Sequence, residues 1–223
     1  MINYTVSAMR MAKTTNGVSK LHAKVSNQMW KPYEGTGKVI PITNAQNQNF
    51  WQDEKIEKSW KKRNAKTYLK RKKELKKQLF DEVLNQTEKL FDPNVLTFVW
   101  ARRFAGYKRA DLLLHDLERF KRLISNEKYP VQIIWAGKPY PMDFYAIDIF
   151  NHLVNHSKTE PNLAVLIGYE MELSKKLKEG SDVWLNTPRI TREASGTSGM
   201  TAAMNGSVNV STDDGWIPEF AKN

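Results

Sequence analysis

Short apolar runs alternate with helix-like patterns from Val95 to the end of this 223-residue chain. Five runs have the length and apolar character of buried strands, namely LTFVWA (Leu96 to Ala101), VQIIWAG (Val131 to Gly137), LAVLIG (Leu163 to Gly168), VWLN (Val183 to Asn186) and SVNVS (Ser207 to Ser211). The intervening helical patterns are Arg109 to Ile124, Tyr145 to Val154, Met171 to Glu179 and Met200 to Asn205. Continuous apolar strands separated by helices are typical of a parallel sheet covered on both faces. The sequence therefore predicts a doubly wound α/β domain.

The first 92 residues follow a different pattern, so we divide the chain into residues 1–92 and residues 93–223. Val6 to Trp30 has the pattern of one or two helices, and Trp30 to Trp51 is polar and rich in turn-forming residues. This first segment has no evident core of its own. Because the chain starts inside an apparent helix and ends soon after a strand, we expect it to be a part of a longer protein.

Much of the formal net charge of +11 lies between residues 55 and 78. Leu69, Leu75, Leu79 and Val83 recur there at helical spacing, so we interpret the lysines as the solvated side of an amphipathic helix. No base-reading motif accompanies them, and we expect no nucleic acid partner. The positive field would still attract anions, including phosphorylated ligands.

The composition excludes several other classes of site. The chain has no cysteine, so disulfides, thiolate metal sites and cysteine nucleophiles are excluded. No segment approaches the roughly 20 apolar residues of a membrane-spanning helix, so we expect a cytoplasmic protein with no membrane partner. His115, His152 and His156 have no companions at metal-ligand spacing, and no metal site is predicted.

Two basic or glycine-rich turns follow predicted strands. In an open parallel sheet, ligands bind beyond the carboxyl ends of the strands. The turn after the first strand carries four cations suited to a phosphate group, which are Arg102, Arg103, Lys108 and Arg109. The alternative interpretation is a basic turn that is merely solvated.

The second turn, NTPRITREASGTSG, combines backbone amides, hydroxyls and a predicted helix N-terminus at residues 195–199. These groups together form a second anion site. Glu193 precedes them and is suited to accept hydrogen bonds from a sugar hydroxyl, or else is a surface carboxylate paired with Arg189 or Arg192. His22 is either a site residue or a core or capping histidine.

Four ordered motifs span most of the chain, namely TVSAMRMAKTTNGVSKLH, WARRFAGYKRADLLL, VQIIWAGKPYP and DVWLNTPRITREASGTSGMTAAMNGSVNVSTDDGW. Together they resemble the α-glucan phosphorylases, which act on glycogen, starch or maltodextrin, and most of all the shorter bacterial branch. Members of this family are glycosyltransferases of the GT-B architecture, with two Rossmann-like domains. The resemblance implies a C-terminal-domain fragment in which residues 1–92 come from the interdomain region and residues 93–223 form an incomplete, Rossmann-like catalytic-site domain.

The family transfers a terminal α-1,4-linked glucosyl unit to inorganic phosphate, giving glucose 1-phosphate, and uses the phosphate group of pyridoxal phosphate. The resemblance implies that the catalytic residues, which hold the substrate phosphate, are Arg103 and Lys108. The residues that it places at the cofactor phosphate are Arg102, Thr197 and Ser198. Those that it assigns to the glucosyl unit are Glu193, Ser195 and Gly196, with His22 and Asn44 from the other side of the cleft.

Thr201 is the main departure from the family pattern. The family has at this position the lysine that forms a Schiff base with pyridoxal phosphate, and threonine has no amine for that linkage. Two alternatives stay open: another lysine, such as Lys138, reaches the aldehyde, or the cofactor binds non-covalently. The turn TNAQNQNFW also lacks the family's usual glycine and proline, which changes the backbone options around Asn44.

Three functional hypotheses follow. The first is a fragment of an α-glucan phosphorylase, with little turnover alone, whose ligands are α-glucan, inorganic phosphate and glucose 1-phosphate and whose partner is the family's N-terminal domain. The second is a degenerate glucan- or phosphate-binding module that has lost catalysis with the lysine. The third is a sugar-nucleotide-dependent glycosyltransferase of the same architecture. Surfaces normally covered by the N-terminal domain would favour self-association into a homo-oligomer.

Overall fold

The computed structural model describes residues 3–221 of the chain. The helices are α1 (Tyr4–Met11), α2 (Lys20–Trp30), α3 (Gln48–Trp51), α4 (Glu54–Lys61), α5 (Ala65–Thr87), α6 (Leu117–Ile124), α7 (Phe144–Thr159), α8 (Met171–Gly180), α9 (Thr197–Met204) and α10 (Ile217–Phe220). The strands are β1 (Thr15–Gly17), β2 (Val39–Pro41), β3 (Leu96–Ala101), β4 (Val131–Ala136), β5 (Leu163–Leu166), β6 (Val183–Asn186) and β7 (Val208–Ser211). Over the described residues, no helix combines the length and the apolar character that crossing a bilayer requires.

Five of the strands form one sheet in the order β5-β4-β3-β6-β7. β3 pairs in parallel with β4 and β6, and β4 pairs in parallel with β5. The register of β3 and β4 runs from Leu96 opposite Val131 to Ala101 opposite Ala136. This strand order is that of a Rossmann-like sheet, whose topological switch point lies between β3 and β6. The predicted fold class is confirmed.

Helices cover both faces of this sheet. Alternate residues of a strand face opposite sides, so β3 contributes Val99 and Ala101 to one core and Trp100 to the other. The first core also contains side chains from α5 and α8, and the second contains side chains from α6 and α7. Burial on both faces explains why β4, β5 and β6 read as continuous apolar runs. The prediction of SVNVS as a buried strand is wrong, because Val208 and Val210 of β7 are 64% and 50% exposed.

Helix α5 differs from the predicted amphipathic helix in two respects. Its fully buried apolar residues begin at Leu75, whereas Leu69 is 64% exposed. Lys72 is buried rather than solvated. Its Nζ donates to the carbonyl oxygens of Glu179 and Asn205, both at 2.8 Å. The lysine therefore satisfies backbone carbonyls at the carboxyl ends of α8 and α9.

The predicted helix from Arg109 to Ile124 is shorter in the structure. A 3₁₀ turn covers Leu112–Leu114, and the α-helix α6 begins only at Leu117. Asp116 is the N-cap of α6, since its Oδ1 accepts a hydrogen bond from the backbone N–H of Arg119 at 2.9 Å. A capping aspartate inside the apolar pattern marks the true start of the helix.

The chain divides into two compact units. Unit 1 contains the described residues up to 46, with residues 188–197 and 211–221, and unit 2 contains residues 47–187 and 198–210. In unit 1, β1 pairs in parallel with β2, and a small core contains Met9, Ala23 and Val39. The expectation that the N-terminal segment has no core is therefore wrong. The boundary at residue 92 stays a prediction.

Candidate functional site

Arg102 directly follows β3 in unit 2 and is 6% exposed. Its Nη1 donates to Asn186 Oδ1 at 2.5 Å, and its Nη2 donates to the carbonyl oxygen of Leu185 at 3.1 Å. The Nη2 atom also lies 3.5 Å from Ser198 Oγ in α9. These contacts hold a guanidinium beside the carboxyl end of β6 and the first turn of α9. This is the sheet edge at which ligands bind in folds of this kind.

The remaining cations of this turn sit on a fixed backbone. Arg109 Nε donates to the carbonyl oxygen of Thr187 at 2.7 Å, and Thr187 Oγ1 donates to the carbonyl oxygen of Lys108 at 3.1 Å. Lys108 Nζ lies 4.8 Å from the centroid of the Tyr107 ring. Arg103 is exposed and makes no hydrogen bond or ion pair with any residue from 3 to 221. The Arg103 guanidinium is therefore exposed to solvent.

Gly137 allows the turns after β3 and β4 to approach each other closely. It has a φ of +146°, and a Cβ added there would lie 2.0 Å from the carbonyl oxygen of Arg102. Farther along, Phe104 N donates to the carbonyl oxygen of Lys138 at 3.2 Å, beside a parallel bridge between Phe104 and Pro139. The position of Arg102 thus depends on a glycine in the neighbouring turn.

In unit 1, a buried carboxylate holds the loop that carries Glu193. Asp214 is 1% exposed, and its Oδ2 accepts hydrogen bonds from the backbone N–H groups of Arg192 and Glu193 at 3.1 and 2.9 Å. Ser19 Oγ donates to the carbonyl oxygen of Ala194 at 2.8 Å. The backbone is therefore held on both sides of the Glu193 side chain.

Trp216 holds the next two residues of the same loop. Its backbone N–H donates to the carbonyl oxygen of Ser195, and its indole Nε1 donates to the carbonyl oxygen of Gly196, both at 3.0 Å. Gly196 has a φ of +86°, a conformation that favours glycine. Ser195 is 8% exposed, and its Oγ has no hydrogen-bond partner among the described residues. Buried hydroxyls without a partner are rare, so this one is a candidate ligand group.

A cleft of about 410 Å³ lies within unit 1, and its lining includes His22 and Glu193. His22 Nδ1 accepts a hydrogen bond from the backbone N–H of Val18 at 3.0 Å, so the neutral imidazole carries its proton on Nε2. Asn44 is exposed and lies outside the described lining of this cleft, and its backbone N–H donates to the carbonyl oxygen of Val18 at 3.0 Å. Of the two residues expected from the far side of the cleft, the structure brings only His22 to Glu193.

Helix α9 starts at Thr197, continues with Ser198 and contains Thr201. Thr201 is 0% exposed, and its Oγ1 donates to the carbonyl oxygen of Ser198 at 3.0 Å. Threonine in a helix commonly makes this bond to the preceding turn. The family has its Schiff-base lysine at the position of Thr201. Here the side chain is a buried hydroxyl without an amine, so Thr201 does not fit a covalently attached pyridoxal phosphate.

Lys138, the amine considered as a substitute, lies in the turn after β4. Its Nζ pairs with the carboxylate of Glu170 at 2.9 Å, and the two side chains are 68% and 74% exposed. Surface ion pairs of this kind contribute little energy, so the pair does not hold the amine strongly. The role of Lys138 in cofactor attachment stays a hypothesis.

Comparison with known proteins gives the family. The model of the carbohydrate phosphorylase family matches residues 3–222. The chain belongs to the carbohydrate phosphorylase family. The resemblance drawn from the four sequence motifs is thus confirmed at the level of the family.

Individual relatives agree with this assignment. An uncharacterized protein of Methanocaldococcus jannaschii is 49% identical over 220 residues, which cover 99% of this chain and 42% of that protein. The maltodextrin phosphorylase of Thermococcus litoralis is 33% identical over 97% of this chain and 31% of its own length. The glycogen phosphorylase of Aquifex aeolicus is 32% identical over 96% of this chain and 37% of its own length. The chain thus spans well under half the length of these relatives.

Sequence reasoning missed three supporting residues, which are Asn186 in unit 2 and Asp214 and Trp216 in unit 1. Asn186 is the last residue of β6, so its place at a strand end was a usable signal. Asp214 and Trp216 lie in the TDDGW segment, where nothing in the sequence distinguishes buried Asp214 from exposed Asp213. Their role depends on contacts with a loop about 20 residues earlier, which local patterns do not encode.

Proposed function

We propose that this chain is the part of an α-glucan phosphorylase-like glycosyltransferase that binds phosphate and one side of the glucosyl unit. The reaction is the transfer of a terminal α-1,4-linked glucosyl unit to inorganic phosphate, which gives glucose 1-phosphate. The observation that carries this proposal is the Arg102 guanidinium, held by Asn186 and Leu185 at the switch point of the sheet. The names of two relatives, a maltodextrin phosphorylase and a glycogen phosphorylase, support the substrate class.

Arg103 and Lys108 are the groups that we assign to the substrate phosphate. Cations bind phosphate oxygens through charge-assisted hydrogen bonds, which are stronger than neutral ones. Arg102 anchors the backbone that carries Arg103, and Thr187 anchors the backbone at Lys108. Charges that are positioned before the reaction need no reorganisation when charge develops on the phosphate and the leaving oxygen.

Ser195, Gly196 and Glu193 are the groups that we assign to the glucosyl hydroxyls. A bond between Ser195 Oγ and a sugar hydroxyl would satisfy a buried polar atom that has no partner among the described residues. The Gly196 amide and the Glu193 carboxylate add a donor and an acceptor. His22 shares a cleft with Glu193, whereas the assignment of Asn44 has no such support. We expect the family's N-terminal domain to supply the rest of the sugar site.

Pyridoxal phosphate supplies a phosphate group to the reaction in this family. The groups that fit such an anion here are the Arg102 guanidinium and the first residues of α9, Thr197 and Ser198. Thr201 does not fit the covalent linkage, so we propose no step through a Schiff base. These residues favour non-covalent binding of the cofactor through its phosphate group alone.

Substitution of Lys108 by alanine tests the proposal. In the complete gene product we expect Lys108→Ala to lower glucose 1-phosphate formation from maltodextrin and phosphate by about a hundredfold or more, because a positioned cation is lost. Lys121→Ala removes an exposed lysine of α6 and serves as the matched control, with activity expected to stay near that of the unchanged protein. Equal activities in the two variants would exclude the assignment of Lys108.

A glucan- or phosphate-binding module without catalysis is the second candidate function, and the buried hydroxyl of Thr201 favours it. Such a module binds maltodextrin and forms no glucose 1-phosphate, with or without added pyridoxal phosphate. Measuring maltodextrin binding and product formation on the same preparation separates the two functions. Product that requires a sugar nucleotide instead of phosphate would identify the third hypothesis, a nucleotide-sugar transferase.

A further inference from the structure

A basic groove of about 390 Å³ lies in unit 2, lined by α4, the turn after it and the first half of α5. Its charged lining consists of one carboxylate, Glu74, and five cations, which are Lys55, Lys58, Lys62, Lys70 and Arg71. None of these residues belongs to the turns and loops assigned above to phosphate or sugar. The groove is therefore a second and separate concentration of positive charge.

Arg71 fixes one wall of this groove. Its guanidinium donates to both carboxylate oxygens of Asp53, at 2.7 to 3.2 Å, and to Glu74 at 3.0 Å. The hydrogen bond from Arg71 lowers the pKa of Glu74, and the charges of Lys55 and Lys70 act in the same direction. Asp53 is also the N-cap of α4, so the ion pair joins the start of α4 to α5. The Arg71 side chain is therefore held in position by Asp53 and Glu74 without a ligand.

Three lysines of the groove form no ion pair among the described residues. Lys55, Lys62 and Lys70 are exposed, and their side chains make no ion pair or hydrogen bond with any residue in the described range 3–221. Like charges around one groove repel each other, and an anion between them removes that repulsion. A ligand with several negative charges along a short chain would meet all three.

The N-terminus of α5 adds to the same potential. Asn64 is its N-cap, with Oδ1 accepting a hydrogen bond from the backbone N–H of Thr67 at 3.0 Å. Both residues line the groove. The helix is 23 residues long, and the aligned peptide dipoles place partial positive charge at this end.

An aromatic depression of about 280 Å³ adjoins the groove and shares Ser59 and Asn64 with its lining. Trp60 and Tyr68 line it together with Arg63. The Trp60 side chain is 69% exposed although it is large and apolar. An exposed indole beside a guanidinium offers a stacking face to a planar ring, as in proteins that bind nucleic acid bases.

We propose that the groove and the aromatic depression together bind a nucleoside polyphosphate. The phosphate chain lies among Lys55, Lys62 and Lys70, and the base stacks on Trp60. Inorganic phosphate alone would use only the basic half, which is why the adjoining aromatic half points to a nucleotide. The site is distinct from the proposed sugar and phosphate chemistry and does not depend on it.

Isothermal titration calorimetry with ATP, tripolyphosphate and adenosine in magnesium-free buffer separates the two halves of the site. We expect ATP to bind about tenfold more tightly than tripolyphosphate, because only ATP gains the stacking contact. Adenosine alone should give no measurable heat, and ATP affinity should fall as salt is raised.

Three variants test the assignment of the residues. Substituting Lys55, Lys62 and Lys70 together by alanine should weaken the binding of ATP and of tripolyphosphate by about tenfold or more, because three charge-assisted contacts are lost. Substituting Lys121, Lys128 and Lys158 together removes the same charge from other exposed positions in unit 2 and should leave both affinities unchanged. Trp60→Ala should weaken the binding of ATP, so that its affinity equals that of tripolyphosphate, and should leave the binding of tripolyphosphate unchanged.

Two results would overturn the proposal. Equal loss of ATP binding in the two triple variants would show attraction by net charge rather than a site. Equal affinities for ATP and tripolyphosphate, unaffected by Trp60→Ala, would show a site for inorganic polyanions without nucleotide recognition. All the substituted side chains are exposed, and thermal unfolding of each variant confirms that it folds.

Discussion

The turn after β3 in unit 2 and the loop before α9 in unit 1 present their polar groups in two different ways. Arg102 follows a strand that is paired on both sides, so the sheet sets its main-chain position. Glu193 and Ser195 lie outside any strand, and Asp214 and Trp216 hold their main chain instead. A sheet distributes support over many hydrogen bonds, whereas the loop depends on three residues, Asp214, Trp216 and Ser19. Single substitutions should therefore affect the two regions differently.

The largest effect should come from the sheet side, at Gly137. Gly137→Ala places a Cβ 2.0 Å from the carbonyl oxygen of Arg102, so the two neighbouring turns must separate. We expect a loss of about 3 kcal/mol or more in the free energy of unfolding. Gly168→Ala is the matched control, since Gly168 also has a positive φ of +68° and has nothing within 4 Å of an added Cβ. The control should lower the free energy of unfolding by about 1 kcal/mol. Denaturant unfolding measures the stability of both variants.

Similar losses in the two glycine variants would mean that Gly137 does not approach the carbonyl oxygen of Arg102 closely enough to exclude a Cβ. In that case the support of Arg102 would come from β3 alone.

A smaller and more local effect should follow from removing the carboxylate in unit 1. Asp214→Ala leaves the backbone N–H groups of Arg192 and Glu193 without their acceptor, and we expect a loss of about 2 kcal/mol. Asp213→Ala alters the exposed neighbour and should change stability by less than about 0.5 kcal/mol. Amide chemical shifts of the loop should move strongly in the first variant only. Matching shifts in both variants would contradict the role of Asp214.

A change of stability with pH, rather than on substitution, should come from buried lysines of unit 2. Burial lowers the pKa of Lys72 and of Lys178 from the ordinary 10.5 to about 8. Between these two values the unfolded chain binds more protons than the folded one, so the free energy of unfolding rises with pH. The slope should be about 1 kcal/mol per pH unit for each lysine between pH 8 and pH 10.

Denaturant unfolding at pH 8, 9 and 10 measures this slope. Lys178→Met should reduce it by about half, because one of the two lysines no longer titrates. A slope that is the same in the variant would show that Lys178 titrates at its ordinary pKa in the folded protein.

The sheet could be predicted from sequence because each strand carries its own signal. LTFVWA and VWLN match β3 and β6 residue for residue, since burial on both faces requires continuous apolar runs. The cations after β3 could be predicted for the same reason, because a strand end fixes where the next residues lie. The solvated face assigned to α5 was wrong at Lys72, whose contacts come from residues more than 100 positions later.

Unit 1 could be predicted far less well. Its small core joins Met9, Ala23 and Val39, which lie in separate short elements. Its loop before α9 depends on residues from the end of the chain, and neither Asp214 nor Trp216 has a periodic pattern around it. Thr201 is an intermediate case. The lack of an amine at this position is evident from the sequence, whereas the burial of the hydroxyl and its hydrogen bond to Ser198 are seen only in the structure.

Formation of glucose 1-phosphate by the complete gene product is the direct test of phosphorolysis. The protein is incubated with maltodextrin, inorganic phosphate and pyridoxal phosphate, and the product is measured against reactions that lack phosphate. We expect product that requires phosphate and is lost in the Lys108→Ala variant. A protein that binds maltodextrin but forms no glucose 1-phosphate under these conditions would exclude phosphorolysis and identify a binding module.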